Sequence, residues 1–316
     1  MFCYVIFPQF RETSTAVAMY TFLGISSVVL ALLTVVGNLL ILCAIRKCQT
    51  LHAPTKALLC NLAFSDLGVG IVVYPLFAAH WFAVVLNNIR AFCAVLDPYV
   101  IAAYIMGSVS LYTMTAISLD KYYAFTLRLR YHRIVTFKRV VLAMGGCWIV
   151  GFTMPFLWLL SETGTRILGA VLIFFCIVIT SICYIKVIIG IRRHQRQIQE
   201  LKATSASQHH GGSLLRIGRY KRSLNTMILL FWLQIACYLP FFIAAAATMG
   251  IGANSNKMLA LNITKAFIYF KSLLNPLAYC LRMREIRRQV LTSLSCFVRF
   301  MRCKVWFDHE SFSFSQ

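Results

Sequence analysis

Acid is what this chain has least of. Only nine of its 316 residues are Asp or Glu, against 31 Lys and Arg, and charged residues of both signs make up 13%. Soluble domains carry about 25% charged residues. So little charge beside 60% hydrophobic residues and a mean hydropathy of +0.75 excludes a globule with a polar surface. Histidine is scarce where chemistry would need it, because the seven His lie almost all in polar connections and only His80 comes near a membrane end. A membrane hydrolase or metalloenzyme gathers His or carboxylate groups at one depth, so neither an enzyme nor a metal site is expected. The glycine pairs at 145–146 and 211–212 follow no strand and open onto no helix, so a phosphate or dinucleotide cradle is excluded and no cofactor is expected. The alternation of a membrane barrel is missing, as is any internal repeat of the kind that transporters of inverted halves carry. The opening MFCYVIFPQF has no charged leading region and no small-residue cleavage site, so it does not read as a signal peptide.

What is present in abundance is long apolar runs. A helix needs about 20 apolar residues to cross the hydrocarbon, and seven runs of that order stand between charged or turn-forming stretches. They cover about Ala18–Ile45, Thr55–Trp81, Phe92–Ala124, Val140–Leu160, Ile167–Ile191, Leu224–Met249 and Met258–Leu281. Lipid cannot satisfy an exposed backbone, so each run is expected to be a helix. The reading is an all-α membrane protein, a seven-transmembrane helix bundle at 18–281, preceded by an extracellular segment at 1–17. The first run serves as signal anchor.

Lys and Arg are distributed unevenly over the connections. Three, Arg46, Lys47 and Lys56, fall at the turn into the second run, six in Lys121–Arg139, nine in Lys186–Arg222 and seven from Arg282 onward, which places 25 on one side. The other side has Arg11, Arg90, Arg166 and Lys257, while Lys265 and Lys271 remain inside the seventh run. The positive-inside rule then puts the N-terminus outside the cell and the C-terminus in the cytoplasm of a multi-pass plasma-membrane protein. The net charge of +22 needs no nucleic acid, because basic loops facing anionic lipid account for it. Cys3 and Cys93 are the only cysteines on the outer side and are available for a disulfide. The outer N-x-S/T match, Asn262-Ile-Thr264, sits at a helix entrance and is a poor glycosylation acceptor.

Polar groups inside the runs are functional candidates, since charge at mid-membrane is costly. They are Asn38 in the first run, Asp66 in the second, Ser110 in the third, and Lys271, Ser272 and Asn275 in the seventh. Pro240, two residues after Tyr238, and Pro276, directly after Asn275, each remove a backbone hydrogen bond and are expected to kink their helices. After Tyr279, residues 282–316 begin with a short basic amphipathic helix, REIRR followed by Val290, Leu291 and Leu294, suited to a membrane surface.

Gly37-Asn38, the NLAFSD stretch ending at Asp66, Trp148, Tyr184, CYLP at 237–240 and NPLAY at 275–279 occur in this order, one per expected helix. As an ordered set they resemble the rhodopsin-like, class A G protein-coupled receptors. The stretch SLDKYYAF at 118–125 then stands where that family carries Asp-Arg-Tyr. The resemblance implies a switch toward a heterotrimeric G protein at Asp120, Lys121, Tyr122, Tyr184, Asn275, Pro276 and Tyr279. It further implies a helix 6 switch at Tyr238 and Pro240, and a central polar pocket of Asn38, Asp66, Ser110, Lys271, Ser272 and Asn275. Cys296 resembles the family's palmitoylation site, with a free cysteine as the alternative. Ser311, Ser313 and Ser315 are available to a receptor kinase and to arrestin, or belong to a plain tail.

Several positions depart from the family pattern. Lys121 is a flexible point charge where the family has the planar fork of Arg, and Tyr220, twenty residues before Pro240, replaces its acidic partner. A weaker latch and altered coupling are expected, with Lys121 paired to Asp120. Lys271 stands where relatives have a neutral residue beside a sodium pocket, and an internal Lys271 to Asp66 pair in place of sodium is expected. Gln234 and Tyr238 replace the usual Phe and Trp, Cys176 a common Pro, and the SETGTR connection has no Cys. Cys93 is three residues farther from the triplet than the family's disulfide Cys. The short loop and missing Cys and Pro most resemble the melanocortin, adenosine and lipid receptor branch. Ala103, eighteen residues before Lys121, removes the amine anchor, and Tyr269 occupies the retinal-lysine position of opsins.

The ligand pocket expected from these positions comprises Ala103, Tyr104, Phe241, Phe242, Lys265 and Tyr269, with Tyr99, Met106 and Phe174 nearby. It suits an extracellular lipid, small molecule or small peptide. The competing readings are a transporter or channel lined by Asp66 and Lys271, and a receptor-shaped scaffold that does not couple.

Overall fold

The computed structural model describes residues 14–49, 51–127, 130–204, 228–229, 231–247, 255–282, 285–293 and 295. Seven long helices carry the fold: α1 (Ser14–Lys47), α2 (Ala53–Val85), α3 (Ile89–Thr126), α4 (Phe137–Leu160), α5 (Glu162–Thr204), α6 (Phe231–Ala247) and α7 (Ser255–Arg282). A single helical turn, Tyr131–Ile134, stands between α3 and α4, and residues 285–293 form α8. No strand occurs among the described residues. Helices α1 to α5 are long and apolar enough to cross a bilayer. The described part of α6 is shorter and apolar, while α7 is 28 residues long and carries lysines along its length.

The helices overrun the apolar runs where the flanking residues are good helix formers. Helix α5 continues beyond Ile191 to Thr204 through RRHQRQIQELKAT, rich in Arg, Gln, Glu and Ala. With acid so scarce, caps come from neutral groups. The Asn88 side chain accepts from the Ala91 amide at the start of α3 (3.0 Å), and Thr136 caps α4. Asn87, at φ 55, makes the tight reversal from α2 to α3, a backbone conformation Asn tolerates.

Proline shapes the second helix. Pro75 gives no N–H, and its ring crowds the carbonyl of Ile71 four residues back, so Val69–Val73 relaxes into a π-helical segment. The helix continues through it and resumes α geometry at Tyr74–Val85.

Helix α3 is the central strut, packed against α2, α4 and α5, while α1 packs against α2 and α7. The two largest apolar clusters among the described residues lie toward the two ends of the bundle. One lies at the end where Arg46, Lys47, Lys121 and Arg139 emerge, here the basic end, and includes Ile41, Leu59, Leu62, Ile117, Tyr184 and Tyr279. Ile286 and Val290, one turn apart on α8, bury against it, while Arg287 and Arg288 are exposed, so α8 is amphipathic. The second cluster occupies the far end and is aromatic, with Tyr20, Tyr74, Phe77, Trp81, Phe92, Tyr99 and Tyr269. The outer surface is apolar too, with Leu142 78% and Leu160 83% exposed on α4, as lipid rather than water requires.

The contact of α1 with the π segment is close enough to forbid a side chain. A Cβ on Gly70 would stand 2.8 Å from Val35 Cγ2 and 3.2 Å from the Val35 backbone nitrogen, whereas one on Gly145 would meet nothing within 4 Å. Gly70→Val should therefore lower thermal stability by about 1–3 kcal/mol through overpacking. Gly145→Ala should leave it level or raise it by up to about 1 kcal/mol. Thermal unfolding in detergent micelles measures both, and equal melting temperatures would contradict the close α1–α2 approach.

Candidate functional site

Between the two apolar clusters lies a thin polar layer centred on Asp66 of α2, which is fully buried. Its Oδ1 accepts hydrogen bonds from Ser110 Oγ of α3 (3.0 Å) and Ser272 Oγ of α7 (2.8 Å). Its Oδ2 accepts from Asn275 Nδ2 of α7 (2.6 Å). One carboxylate thus ties three helices together. Charge-assisted bonds of this kind are the strong ones, at about 1.5–3 kcal/mol each.

Asn38 serves the same layer differently. Pro276 has no N–H to give to the carbonyl of Ser272, four residues earlier in α7, so that oxygen lacks its helical partner. The Asn38 amide donates to it at 3.2 Å and to Thr34 of its own helix at 2.9 Å. The two helices run close here, since a Cβ on Gly37 would rest in ordinary contact with the Pro276 ring at 3.4 Å.

The expected direct pair between Lys271 and Asp66 is not formed. The Lys271 ammonium is buried and makes no hydrogen bond. It stands 5.3 Å from the centroid of the Tyr238 ring on α6, a cation–π placement, and interacts with Asp66 at longer range. Ser110, Ser272 and Asn275 take three of the roughly four acceptor positions of the carboxylate, and the ammonium lies against the aromatic face instead. Gln234, one turn before Tyr238, is also buried, with both amide atoms unpartnered. Helix α6 therefore meets the layer through a ring and an unsatisfied amide rather than through a closed hydrogen-bond network.

At the basic end the organising group is Asp120. It is buried, and it accepts from Tyr131 OH (2.6 Å), Thr55 Oγ1 (2.8 Å) and Lys121 Nζ (3.3 Å). The expected Lys121–Asp120 contact is present, but the shorter bonds come from the start of α2 and from the one-turn helix. Tyr122 points elsewhere, under the Lys186 ammonium of α5 at 5.8 Å. Burial, and behind it the bond to Asp120, hold the Tyr131 phenol protonated well above the ordinary range. Beside it His132 Nδ1 and His52 Nε2 are 2.9 Å apart, joining the α1–α2 connection to the α3–α4 connection.

The remaining switch positions are spread around this end. Tyr184 OH and Ser118 Oγ share a hydrogen bond at 2.9 Å, linking α5 to α3, whereas the Tyr279 hydroxyl is buried without a partner. Trp148 Nε1 donates to Asn61 Oδ1 (3.0 Å), and Asn61 Nδ2 donates to Thr113 Oγ1 (2.8 Å), so α4, α2 and α3 are laced together.

The expected ligand-pocket residues divide between packing groups. Tyr269 OH shares a 2.7 Å hydrogen bond with Tyr99 OH, and Ala103 packs nearby in the far-end cluster. Tyr104 interacts electrostatically with both tyrosines. Phe242 packs instead with Leu111, Cys176 and Tyr238 and meets Phe241 edge-on at 6.4 Å. Phe174 is 60% exposed and stays outside this packing. Lys265 donates to Asn262 Oδ1 at 3.2 Å, and Asn262 is buried, with no room for a glycan. Sequence reasoning missed the α2 contribution: Phe77 packs edge-on against Tyr269 at 5.4 Å, and His80 lies against Tyr99 at 5.5 Å. Cys93 is disulfide-bonded. Cys3, Leu294, Cys296 and the tail serines lie outside the described residues.

The His52–His132 contact carries a pH dependence. Burial depresses the His52 pKa below the ordinary 6.5, the charge of His132 acts in the same direction, Asp120 opposes it, and Lys121 depresses it slightly further. A hydrogen bond between two imidazoles needs one neutral ring, so full protonation of both removes it. Well above 6.5 the His52 ring is neutral in folded and unfolded chains alike. As pH falls below that value the unfolded chain takes up protons first, and the folded state is increasingly disfavoured until the lowered pKa is passed. The wild type should therefore lose more thermal stability between about pH 7.5 and about pH 5.5 than His132→Gln does. Identical losses would refute the contact.

Residues 37–167 and 161–279 match the family model described as 7 transmembrane receptor (rhodopsin family). The fold is similar to that of squid rhodopsin, with a TM-score of 0.76 and 17% identity over 92% of this chain and 90% of that chain. At that identity the likeness speaks for the fold, and the family match, which runs from Gly37 to Tyr279, speaks for the family. The chain belongs to the rhodopsin-like, class A family of G protein-coupled receptors: a multi-pass membrane protein with a seven-helix fold, in a family that is not enzymatic.

Proposed function

We propose that this receptor lies in the plasma membrane with its N-terminus outside, binds an extracellular lipid, small molecule or peptide at the far end, and engages a heterotrimeric G protein at the basic end. The observation that supports this reading is the polar layer. Asp66 joins α2, α3 and α7 midway between the aromatic far-end cluster and the basic-end cluster, so a rearrangement at one end must pass through it to reach the other. Among the described residues, helix α6 meets the layer through the Lys271–Tyr238 contact. Ligand binding would act by favouring one of two packings of α6 and α7 about Pro240 and Pro276, a shift of population rather than a chemical step.

At the basic end the coupling surface comprises Asp120, Lys121, Tyr122, Tyr184 and Tyr279. Arrestin and a receptor kinase are further partners in this reading, through Ser311, Ser313 and Ser315. Against a channel lined by Asp66 and Lys271 stands their packing, since both are sealed from solvent. The basic excess also makes anionic membrane lipid a partner of this end.

Two measurements test the reading. Ligand-dependent nucleotide exchange on a purified G protein should be detectable for the wild type and rise about ten-fold or more in Lys121→Arg, because the planar fork replaces a point charge. Ligand-dependent current or uptake without exchange would support the channel reading, and no rise in the variant would show that Lys121 is not a handicap. Lys271 places its amine in the layer within electrostatic reach of Asp66, so agonist affinity should not shift on sodium titration in the wild type and should become sodium-sensitive in Lys271→Asn. A sodium shift in the wild type would rule out the internal cation.

A further inference from the structure

On the outside of the bundle, near the basic end, α3 and α5 leave a groove of about 190 Å³ lined by Leu119, Tyr122, Ile179, Ile182, Cys183 and Lys186. The same two helices are tied together by the Tyr184–Ser118 hydrogen bond. One turn beyond Lys186, Gly190 of α5 lets the Phe125 ring of α3 come so near that a Cβ would collide with it. The open side faces outward, since Ile182 is 47% exposed and continues a stripe through Ile185 and Ile189. In a multi-pass protein that stripe is covered by acyl chains.

The groove is apolar along its length and cationic at one end. Lys186 is exposed, and its ammonium rests 5.8 Å from the centroid of the Tyr122 ring. It has no ion-pair partner among the described residues, and the nearby carboxylate of Asp120 is taken by Thr55, Tyr131 and Lys121. Arg193, exposed and seven residues on, falls on the same face of α5 about two turns nearer the water. An apolar slot ending in two exposed cations at the membrane edge has the chemistry of one molecule: a phospholipid with an anionic head.

We propose that the α3–α5 groove binds an anionic phospholipid, one acyl chain lying along Leu119, Ile179 and Ile182 and the phosphate meeting Lys186 and Arg193. On the orientation given under the proposed function, the lipid comes from the inner leaflet, which holds the anionic lipids. Tyr122 adjoins Lys121, so an occupant that draws Lys186 from the Tyr122 ring acts directly beside the coupling switch.

The test uses the full-length receptor in nanodiscs of equal phosphatidylcholine and phosphatidylserine, with retained lipid counted by native mass spectrometry. The wild type should retain phosphatidylserine over phosphatidylcholine by about five-fold, Lys186→Gln should bring the ratio near one, and Arg139→Gln on α4 should leave it unchanged. Ile182→Trp, which fills the slot and spares the cation, should reduce retention of phosphatidylserine. An undiminished preference in Lys186→Gln, unchanged retention in Ile182→Trp, or displacement by free inorganic phosphate would each overturn the proposal. Both nanodisc leaflets have the same composition, so the result does not depend on which end faces the cytoplasm or on whether a G protein couples.

Discussion

A carboxylate held in the middle of an apolar bundle constrains everything around it. Taking an ionised Asp66 out of water costs several kcal/mol even after the surroundings relax, and no water-filled route reaches it in this packing, since it is fully buried. Three helix-borne donors offset that cost, and each fixes the register of its helix against α2. The polar layer is therefore also the level at which helix positions are set, with apolar packing filling the space on either side. A helix that slid by one turn would leave both an unpaired carboxylate oxygen and an unpaired donor in low dielectric, where neither finds a substitute.

The prolines extend the same logic to the backbone. Pro276 releases the Ser272 carbonyl, Asn38 takes it, and the Ser272 hydroxyl turns to Asp66. A break that would weaken an isolated helix becomes a junction of α1, α7 and α2. Pro75 acts locally instead, and the π segment it induces brings Gly70 against the backbone of α1. These two breaks are braced by neighbours. Among the described residues, helix α6 meets the layer with Gln234 unsatisfied and Lys271 resting on a ring, a contact without a directional hydrogen bond.

Much of this was legible in the sequence because membrane chemistry is unforgiving. Apolar runs bounded by basic connections located the helices to within a few residues, and where the helices ran longer the extra residues were polar helix formers, as beyond Ile191. Asn38, Asp66, Ser110, Ser272 and Asn275 stood out because polar groups in such runs are rare, and the structure brings them together. The direction of the Lys271 side chain was not legible. Opposite charge suggested Asp66, but three neutral donors surround the carboxylate and the ammonium turns to the Tyr238 ring, which no spacing reveals. Thr55, His52, Tyr131 and His132 were missed because they lie in or beside connections, where apolar periodicity carries no information about contacts. Phe77 and His80 were missed for a different cause: in a helix surrounded by lipid and protein, apolar residues point both ways, and composition does not say which aromatic faces inward.

The scarcity of acid gives the final step of synthesis. With nine carboxylates against 31 cations, the charge at the basic end cannot be balanced within the chain. The two buried carboxylates of the bundle are both committed, Asp66 to the layer and Asp120 to Thr55, Tyr131 and Lys121. Exposed cations such as Lys186 and Arg193 are left to partners outside the chain. On the proposed orientation those partners are anionic lipid and the acidic surfaces of cytoplasmic proteins, and both compete for one face. Because Lys121 is a point charge leaning on an Asp that two hydroxyls already satisfy, releasing it costs less than releasing a bidentate Arg would. In this packing Asp120 is held mainly by the Tyr131 and Thr55 bonds, which places the restraint in and beside the connections between helices rather than inside the triplet. Loss of the charge pair alone would leave those two bonds in place.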